Sequence, residues 1–430
     1  MEERKRQRRW MRLDNAAKLY PAVRTKNWCN VFRLSITLNE NIDPDVLQKA
    51  LNVTVGRFPS IAVRLCKGFF WYYLEEIESA PAVIPDRPYP CGKMTADDMK
   101  RCAFRVLYYK KRIAVEFFHS LTDGNGGLIF LKTLAAEYIT QKESVNIPAE
   151  FGVLNRNEEP NDREFEDSFL KYHGHKAFSK REKTAYRITG TKENDDFHGV
   201  TIGIVDLKSV LSKAKKHGVS LTAYLAAVMA LSIIQIQDSE VPDKRKQKPV
   251  KILIPVNLRN YFKSSSMRNF VLYVIPEIEA NMGDFTFEEI LQIVYCQMKL
   301  QLTEKQMQAR ITANVKVEKN KFLKALPLFV KNIGMKTAFS MVGEKKSSIT
   351  MSNLGAVRIP DEMRKFTERF DFTLGVQATG CNNCGILSYG DKLYINMIRN
   401  IKESELERLF FTNLVKRGIA VTVESNQKEE

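Results

Sequence analysis

The 430-residue sequence predicts an α/β protein built as two domains. Three observations point there. The chain is longer than one hydrophobic core ordinarily organises. Hydrophobic residues make up 44% and charged residues 27%, the balance of a globular protein. Strand-like and helix-like stretches alternate in both halves in loosely similar order, with a charged, weakly periodic region between them. The expected boundaries are residues 1–155, a linker or crossover over 156–197, and a second domain over 198–430. Each is expected to hold a mixed sheet with flanking helices.

The elements follow in order. "VFRLSITLNE" from Val31 reads as a strand. "DPDVLQKALNVTVGRFP" follows as a helix, with Asp43 as its cap and Pro44 at its first position. "FWYYLEEI" from Phe70 is strand-like, and "FRVLYYKKRIAVEFFH" reads as two strands joined at Lys110 and Lys111. In the second half, strand "GVTIGIVDL", helix "LTAYLAAVMALSIIQIQ" and strand "VKILIPVNLR" succeed one another. Strand "FVLYVIPEIE" and a helical run over 287–306 come next, then strands at "SSITMSNLGAV" and "KLYINMIRN". The amphipathic helix "SELERLFFTNLVKRG" closes the series.

Composition narrows the function. The stretch from Leu221 is interrupted by Tyr224, Ser232 and Gln235, so it reads as a buried helix rather than a membrane span. The basic start has no apolar segment behind it, which argues against a secretory signal and for a cytoplasmic protein. Seven scattered cysteines then fit reduced thiols, and "CNNC" at Cys381–Cys384 has no second pair to complete a metal site. His173 and His175 in "HGH" fit a surface loop for the same reason. No metal is expected. A formal charge of +17 fits either phosphate-bearing partners or a lysine-rich soluble surface. No nucleic-acid-binding signature is present, so nucleic acid is not expected as a partner. Arg4, Lys5, Arg6, Arg8, Arg9 and Arg12 form an arm, either solvated or in weak contact with an anionic membrane.

The candidate site lies in "RIAVEFFHSLTDGNGG", from Arg112 to Gly127. Ile113, Val115, Phe117 and His119 share one strand face, while Ser120 points to the other. Leu128, Leu131, Leu134, Ala135 and Tyr138 recur at helical spacing, so a helix begins near Gly126. His119 therefore stands at a strand-to-helix switch, where open α/β sheets place their ligand crevices. Gly124, Gly126 and Gly127 permit a sharp bend or close approach to a ligand. A calcium loop would need glycine where Leu128 stands. A dinucleotide fingerprint would not carry a histidine and an aspartate in its turn.

The pattern His-x-x-x-Asp-Gly, at His119, Asp123 and Gly124, resembles the motif of the chloramphenicol acetyltransferase-like superfamily. "PVNLR" from Pro255 resembles the element whose arginine pairs with the motif aspartate, and "SSITMSNLGAV" the late strand lining the tunnel. "DFTLG" from Asp371 is a partial match to a plant-enzyme segment. The opening "RLDNAAKLYPAVRTKNWCNVFRLSITL" is most like bacterial alcohol acetyltransferases. Condensation domains usually carry two adjacent histidines, whereas Phe118 precedes His119 here.

The resemblance implies two chloramphenicol acetyltransferase-like domains with an active-site tunnel at their interface. It implies a cytoplasmic acyltransferase moving an acetyl or short acyl group from acyl-CoA, a co-substrate, to a small alcohol by direct transfer, with no bound cofactor. His119 would act as general base and Asp123 as a structural residue paired with Arg259. Ser352 or Asn353 is the candidate oxyanion donor, with a core or turn role as the alternative for either. The rival readings are N-acylation or transfer to a polyketide or lipid acceptor, and a non-catalytic binding protein on the same scaffold.

Overall fold

A computed structural model describes residues 9–25, 28, 30–178, 183–194, 197–339, 345–377 and 380–427. The first half runs β1 (Trp10–Arg12), α1 (Leu19–Val23), β2 (Val31–Leu38), α2 (Pro44–Arg57), β3 (Val63–Lys67), β4 (Tyr72–Glu76) and β5 (Ile84–Pro85). It continues with α3 (Ala96–Arg101), β6 (Phe104–Tyr109), β7 (Arg112–Phe118), α4 (Gly124–Glu143) and α5 (Ser168–Tyr172). The predicted cap on α2 is present: Asp43 Oδ1 accepts from the backbone of Asp45 and Val46 at 2.9 and 3.2 Å. Lys110, at φ 47°, turns β6 into β7.

The second half runs β8 (Gly199–Asp206), α6 (Leu207–Lys216), α7 (Leu221–Glu240), β9 (Val250–Asn257), β10 (Val271–Val274) and β11 (Glu277–Ile278). Helices α8 (Phe287–Gln301), α9 (Glu304–Lys319), α10 (Lys321–Ala325) and α11 (Leu328–Ala338) follow. Then come β12 (Ile349–Ala356), α12 (Asp361–Arg364), β13 (Thr367–Leu374), β14 (Asn382–Tyr389), β15 (Lys392–Arg399), α13 (Glu405–Lys416) and β16 (Val421–Ser425). The helical run expected over 287–306 is two helices, because Thr303 breaks it and caps α9 by accepting from Gln306 N.

The first large sheet has the order β13-β2-β7-β6-β5, antiparallel except that β5 runs parallel to β6. Its apolar face, including Phe32, Leu34 and Phe117, packs on α4, where Gly127 leaves room for all three. The second large sheet has the order β10-β9-β12-β14-β15-β8-β16, with β11 also pairing β9. It is mixed: β12 lies parallel to both β9 and β14, and the remaining pairs are antiparallel. A small sheet, β1-β4-β3, stands apart. Among the described helices α7 alone is long and apolar enough to cross a membrane, and most of it is buried in the second core.

The sequence boundaries miss one exchange. β13 comes from the 198–430 segment, yet it pairs along its length with β2 in the first sheet. From this stretch the sequence offers only "DFTLG", as a motif match, and strand spacing does not name a distant partner. The region 156–197 is also more than a tether. Glu164 forms a two-pronged buried pair with Arg57 at 2.8 and 2.9 Å, and Tyr186 N bonds Pro249 O at 2.8 Å.

β14 crosses β13 closely. A Cβ at Gly385 would sit 2.2 Å from the Phe372 carbonyl oxygen, and Asn383 Nδ2 donates to Gly375 O at 2.5 Å. Backbone cannot yield there as a flexible side chain would. Gly385→Ala is therefore expected to lower stability by about 1–3 kcal/mol, the ordinary cost of overpacking, read from the urea midpoint. An unchanged midpoint would show that the crossing is loose.

Candidate active site

His119 sits immediately beyond β7, its backbone N–H donating to Asn30 O at 2.9 Å. Tyr20 of α1 stacks on the imidazole with ring centres 4.7 Å apart, and Phe32 meets it edge-on at 5.0 Å. The residue is half-buried and keeps part of its surface open.

The ring's protonation pattern follows from its neighbours. Nδ1 lies 3.2 Å from Asn269 Oδ1. Asn269 Nδ2 is committed as a donor, to His119 O at 3.0 Å and to Asp14 Oδ2 at 3.3 Å. Asn269 Oδ1 therefore accepts, and Nδ1 carries the proton. Nε2 is left with its lone pair. Asp14, fully buried, fixes the amide further by accepting from Asn269 N at 3.3 Å and from Ala17 N at 2.8 Å. Burial pushes the imidazole below its ordinary 6.5, against its own hydrogen bonds and the carboxylates of Asp123 and Asp14. The shift favours the neutral imidazole.

Asp123 does not touch the ring's nitrogens. Its Oδ1 caps α4, accepting from Asn125 N and Gly126 N at 3.1 Å each. Its Oδ2 takes Arg259 Nη1 at 2.7 Å and Phe270 N at 2.9 Å. The Arg259 guanidinium also donates to Ser266 O and Arg268 O, both at 2.7 Å from Nη2. The structure therefore brings Asp123 and Arg259 together as one bracket between the strand–helix turn and the segment after β9.

The glycines divide by task. At Gly126 a Cβ would meet Thr122 Oγ1 at 2.2 Å and the Met267 carbonyl oxygen at 2.4 Å, so this position has no room for a side chain. At Gly124 the obstacle is the tip of Leu354, at 2.6 Å, which is movable. The motif glycine is thus the less constrained of the two.

β12 splits the pair of candidate oxyanion donors. Ser352 shares a face with Leu354, which packs toward the first core and reaches Gly124. Asn353 faces the other way and donates to Thr222 Oγ1 at 3.0 Å, while its oxygen takes Gly355 N at 2.8 Å. Asn353 serves a turn and α7, which leaves Ser352 as the uncommitted candidate of the two. Asp371 of "DFTLG" is paired with Arg369 at 2.8 Å on β13.

Sequence reasoning missed Asn269, Asp14 and Tyr20. Asp14 and Tyr20 lie in the quoted opening stretch, but no spacing rule joins them to His119. Among the described residues no cluster has metal-ligand character. Cys384 is buried in β14, and His173 Nε2 faces Lys319 Nζ at 2.8 Å. Arg4, Lys5, Arg6 and Arg8 lie outside the described residues. Two clefts lie away from His119. One is bordered by Arg33, Arg112, Asp371 and Asn396, and the other by Lys213, His217, Phe287 and Arg417.

No protein-family model and no curated protein sequence matches the chain. Solved structures match over nearly its full length. TRI101 of F. graminearum, solved with ethyl coenzyme A, is 11% identical and covers 98% of this chain and 100% of its own, with a TM-score of 0.63. The chain has the fold of the chloramphenicol acetyltransferase-like acyltransferases. TRI3 trichothecene 15-O-acetyltransferase of Fusarium sporotrichioides shares this fold at 13% identity, TM-score 0.55, with 95% of this chain and 94% of its own covered. The first condensation domain of the CDA synthetase shares it at 13% identity and TM-score 0.62, over 95% and 96% of the two chains. In this fold the two halves meet around His119, which draws Asn269 from the second half.

Two outcomes follow. Asp123→Ala strands a buried guanidinium and removes a helix cap, so unfolding free energy should fall by about 3–5 kcal/mol in urea titration. A loss below 1 kcal/mol would rule out the bracket. Nitrogen NMR of His119 should show a proton on Nδ1 and a titration midpoint below 6.5. Asn269→Ala should populate the other tautomer.

Proposed function

We propose that the protein transfers an acetyl or other short acyl group from coenzyme A to an alcohol, with His119 as general base. One observation carries this reading: Nδ1 meets the oxygen of an Asn269 amide whose nitrogen is committed as a donor, so Nε2 of a neutral imidazole is left to accept a proton. The acceptor hydroxyl would give its proton to Nε2 as its oxygen attacks the thioester carbonyl. The resulting tetrahedral oxyanion would collapse by breaking the carbon–sulfur bond. The departing thiolate would take the proton back from Nε2, leaving ester, free coenzyme A and an unchanged enzyme.

Ser352 is the side chain we assign to the oxyanion, because Asn353 is engaged with Thr222 and Gly355 and so is committed elsewhere. The fold neighbours support the donor and acceptor classes. TRI101 has been solved with coenzyme A and T-2 mycotoxin, and TRI3 is a trichothecene 15-O-acetyltransferase. The net charge of +17 suits a donor carrying phosphates.

The test is thiol release from acetyl-CoA and longer acyl-CoAs with a panel of alcohols and amines. Wild type should turn over an alcohol, and a folded His119→Ala variant should lose roughly 10²–10⁴-fold in kcat. Equal activity in the variant would remove His119 from the chemistry. Because the base works only when neutral, kcat/KM should fall as pH drops through the folded-state pKa, with that limb below 6.5.

A further inference from the structure

α11 packs on α1, whose Tyr20 covers the His119 imidazole, and the outer side of this layer is apolar. Phe322 on α10 is 87% exposed, and Phe329 and Ile333 on α11 are 64% and 66% exposed. Phe69, at 72%, projects beside them from the turn between β3 and β4. Side chains this large and this exposed are ordinarily scattered on a soluble surface. Here they belong to one unit. Leu328 N donates to Phe69 O at 2.9 Å, and Asn332 Nδ2 to Tyr72 Oη at 3.0 Å. Lys331 Nζ lies 3.4 Å from the centre of the Trp71 ring and bonds Phe70 O and Lys324 O at 3.1 and 3.0 Å.

The helices of this projection carry charge of one sign, and the neighbouring Glu318 is tied up by Lys18. Lys319, Lys321, Lys324 and Lys336 are exposed, and no carboxylate occurs from Lys319 through Ala338. Aromatic tips inside a lysine rim fit the boundary between acyl chains and anionic headgroups. We propose that this surface docks the protein on an anionic lipid bilayer, with Phe69, Phe322, Phe329 and Ile333 entering the boundary. A second copy of the chain fits poorly, because a two-fold contact would set lysine rim against lysine rim on molecules already carrying +17. Docking there sets the layer that covers His119 against the bilayer, and requires nothing of the chemistry at that residue.

The experiment is co-sedimentation of the full chain with vesicles of phosphatidylcholine alone and of phosphatidylcholine with phosphatidylglycerol at about 7:3. Two paired variants are compared, Phe322→Glu with Phe329→Glu, and Lys321→Glu with Lys324→Glu. All four positions are exposed, so an unchanged urea midpoint serves as the folding control. Binding to the anionic vesicles, weaker at high salt, is expected. A lysine near such a surface is worth roughly fivefold in partitioning, so the lysine pair should cost more than tenfold. The phenylalanine pair should cost at least as much. Three results would overturn the assignment. They are no wild-type binding, undiminished binding in either variant pair, or lipid-free self-association of wild type that the phenylalanine pair abolishes.

Discussion

The carboxylate of Asp123 is the constraint on which the rest of the site depends. Its two oxygens accept four donors: two amides of the α4 amino end, the Arg259 guanidinium and the Phe270 amide. Asp123 is 1% exposed, and an ion so placed is tolerated only when its acceptor capacity is filled. The donors come from both halves of the chain, so this single group registers the strand–helix turn against the second sheet. Arg259 extends the grip through the carbonyls of Ser266 and Arg268, leading directly to Asn269.

That succession explains how the imidazole is held. A histidine stacked on Tyr20 and met edge-on by Phe32 still has two tautomers open to it. The choice is made by Asn269, whose amide is oriented by Asp14 and by the carbonyl of His119. The asparagine sits one residue before Phe270, the other tether on Asp123. Turn geometry and proton placement are thus two consequences of one segment, residues 266–270, being pinned. Asp123 raises the ring's proton affinity only through space, and burial outweighs it.

Much of this was legible in the sequence, for reasons tied to range. The strand ending at His119, the helix after it, the α2 cap at Asp43 and most second-half strands are written in local periodicity and capping chemistry. Asp123, Gly124 and Arg259 became visible through a resemblance, not through spacing. What stayed hidden is long-range. Asn269 lies 150 residues from His119, and a lone asparagine in "SSSMRNF" carries no local signal. Sequence did not set Gly126 apart from Gly124 and Gly127, because its conflict is partly with a carbonyl from residue 267. The amphipathic pattern of α10 and α11 is weak because their outer face carries Phe322, Phe329 and Ile333 among lysines.

The exchange of β13 bears on how the halves come to exist at all. Without it β2 would be an open edge facing water, beside a strand face lined by Arg33 and Glu116. Those charges are buried in the complete fold. Arg33 pairs with Asp86 and with Glu116, at 3.0 Å for the second, and Arg105 bonds Glu116 at 2.6 Å. Burial alone would raise the carboxyl of Asp86, but Arg33 and Arg112 outweigh it and hold it below the usual carboxylate range. A segment ending near residue 155 would expose this network and lose the strand beside it. The first sheet therefore cannot finish before residue 374 has arrived, and closure over that span is slow and entropically costly. The exchange therefore interlocks the two domains, because a strand of the second segment completes the sheet whose strand β7 leads into His119.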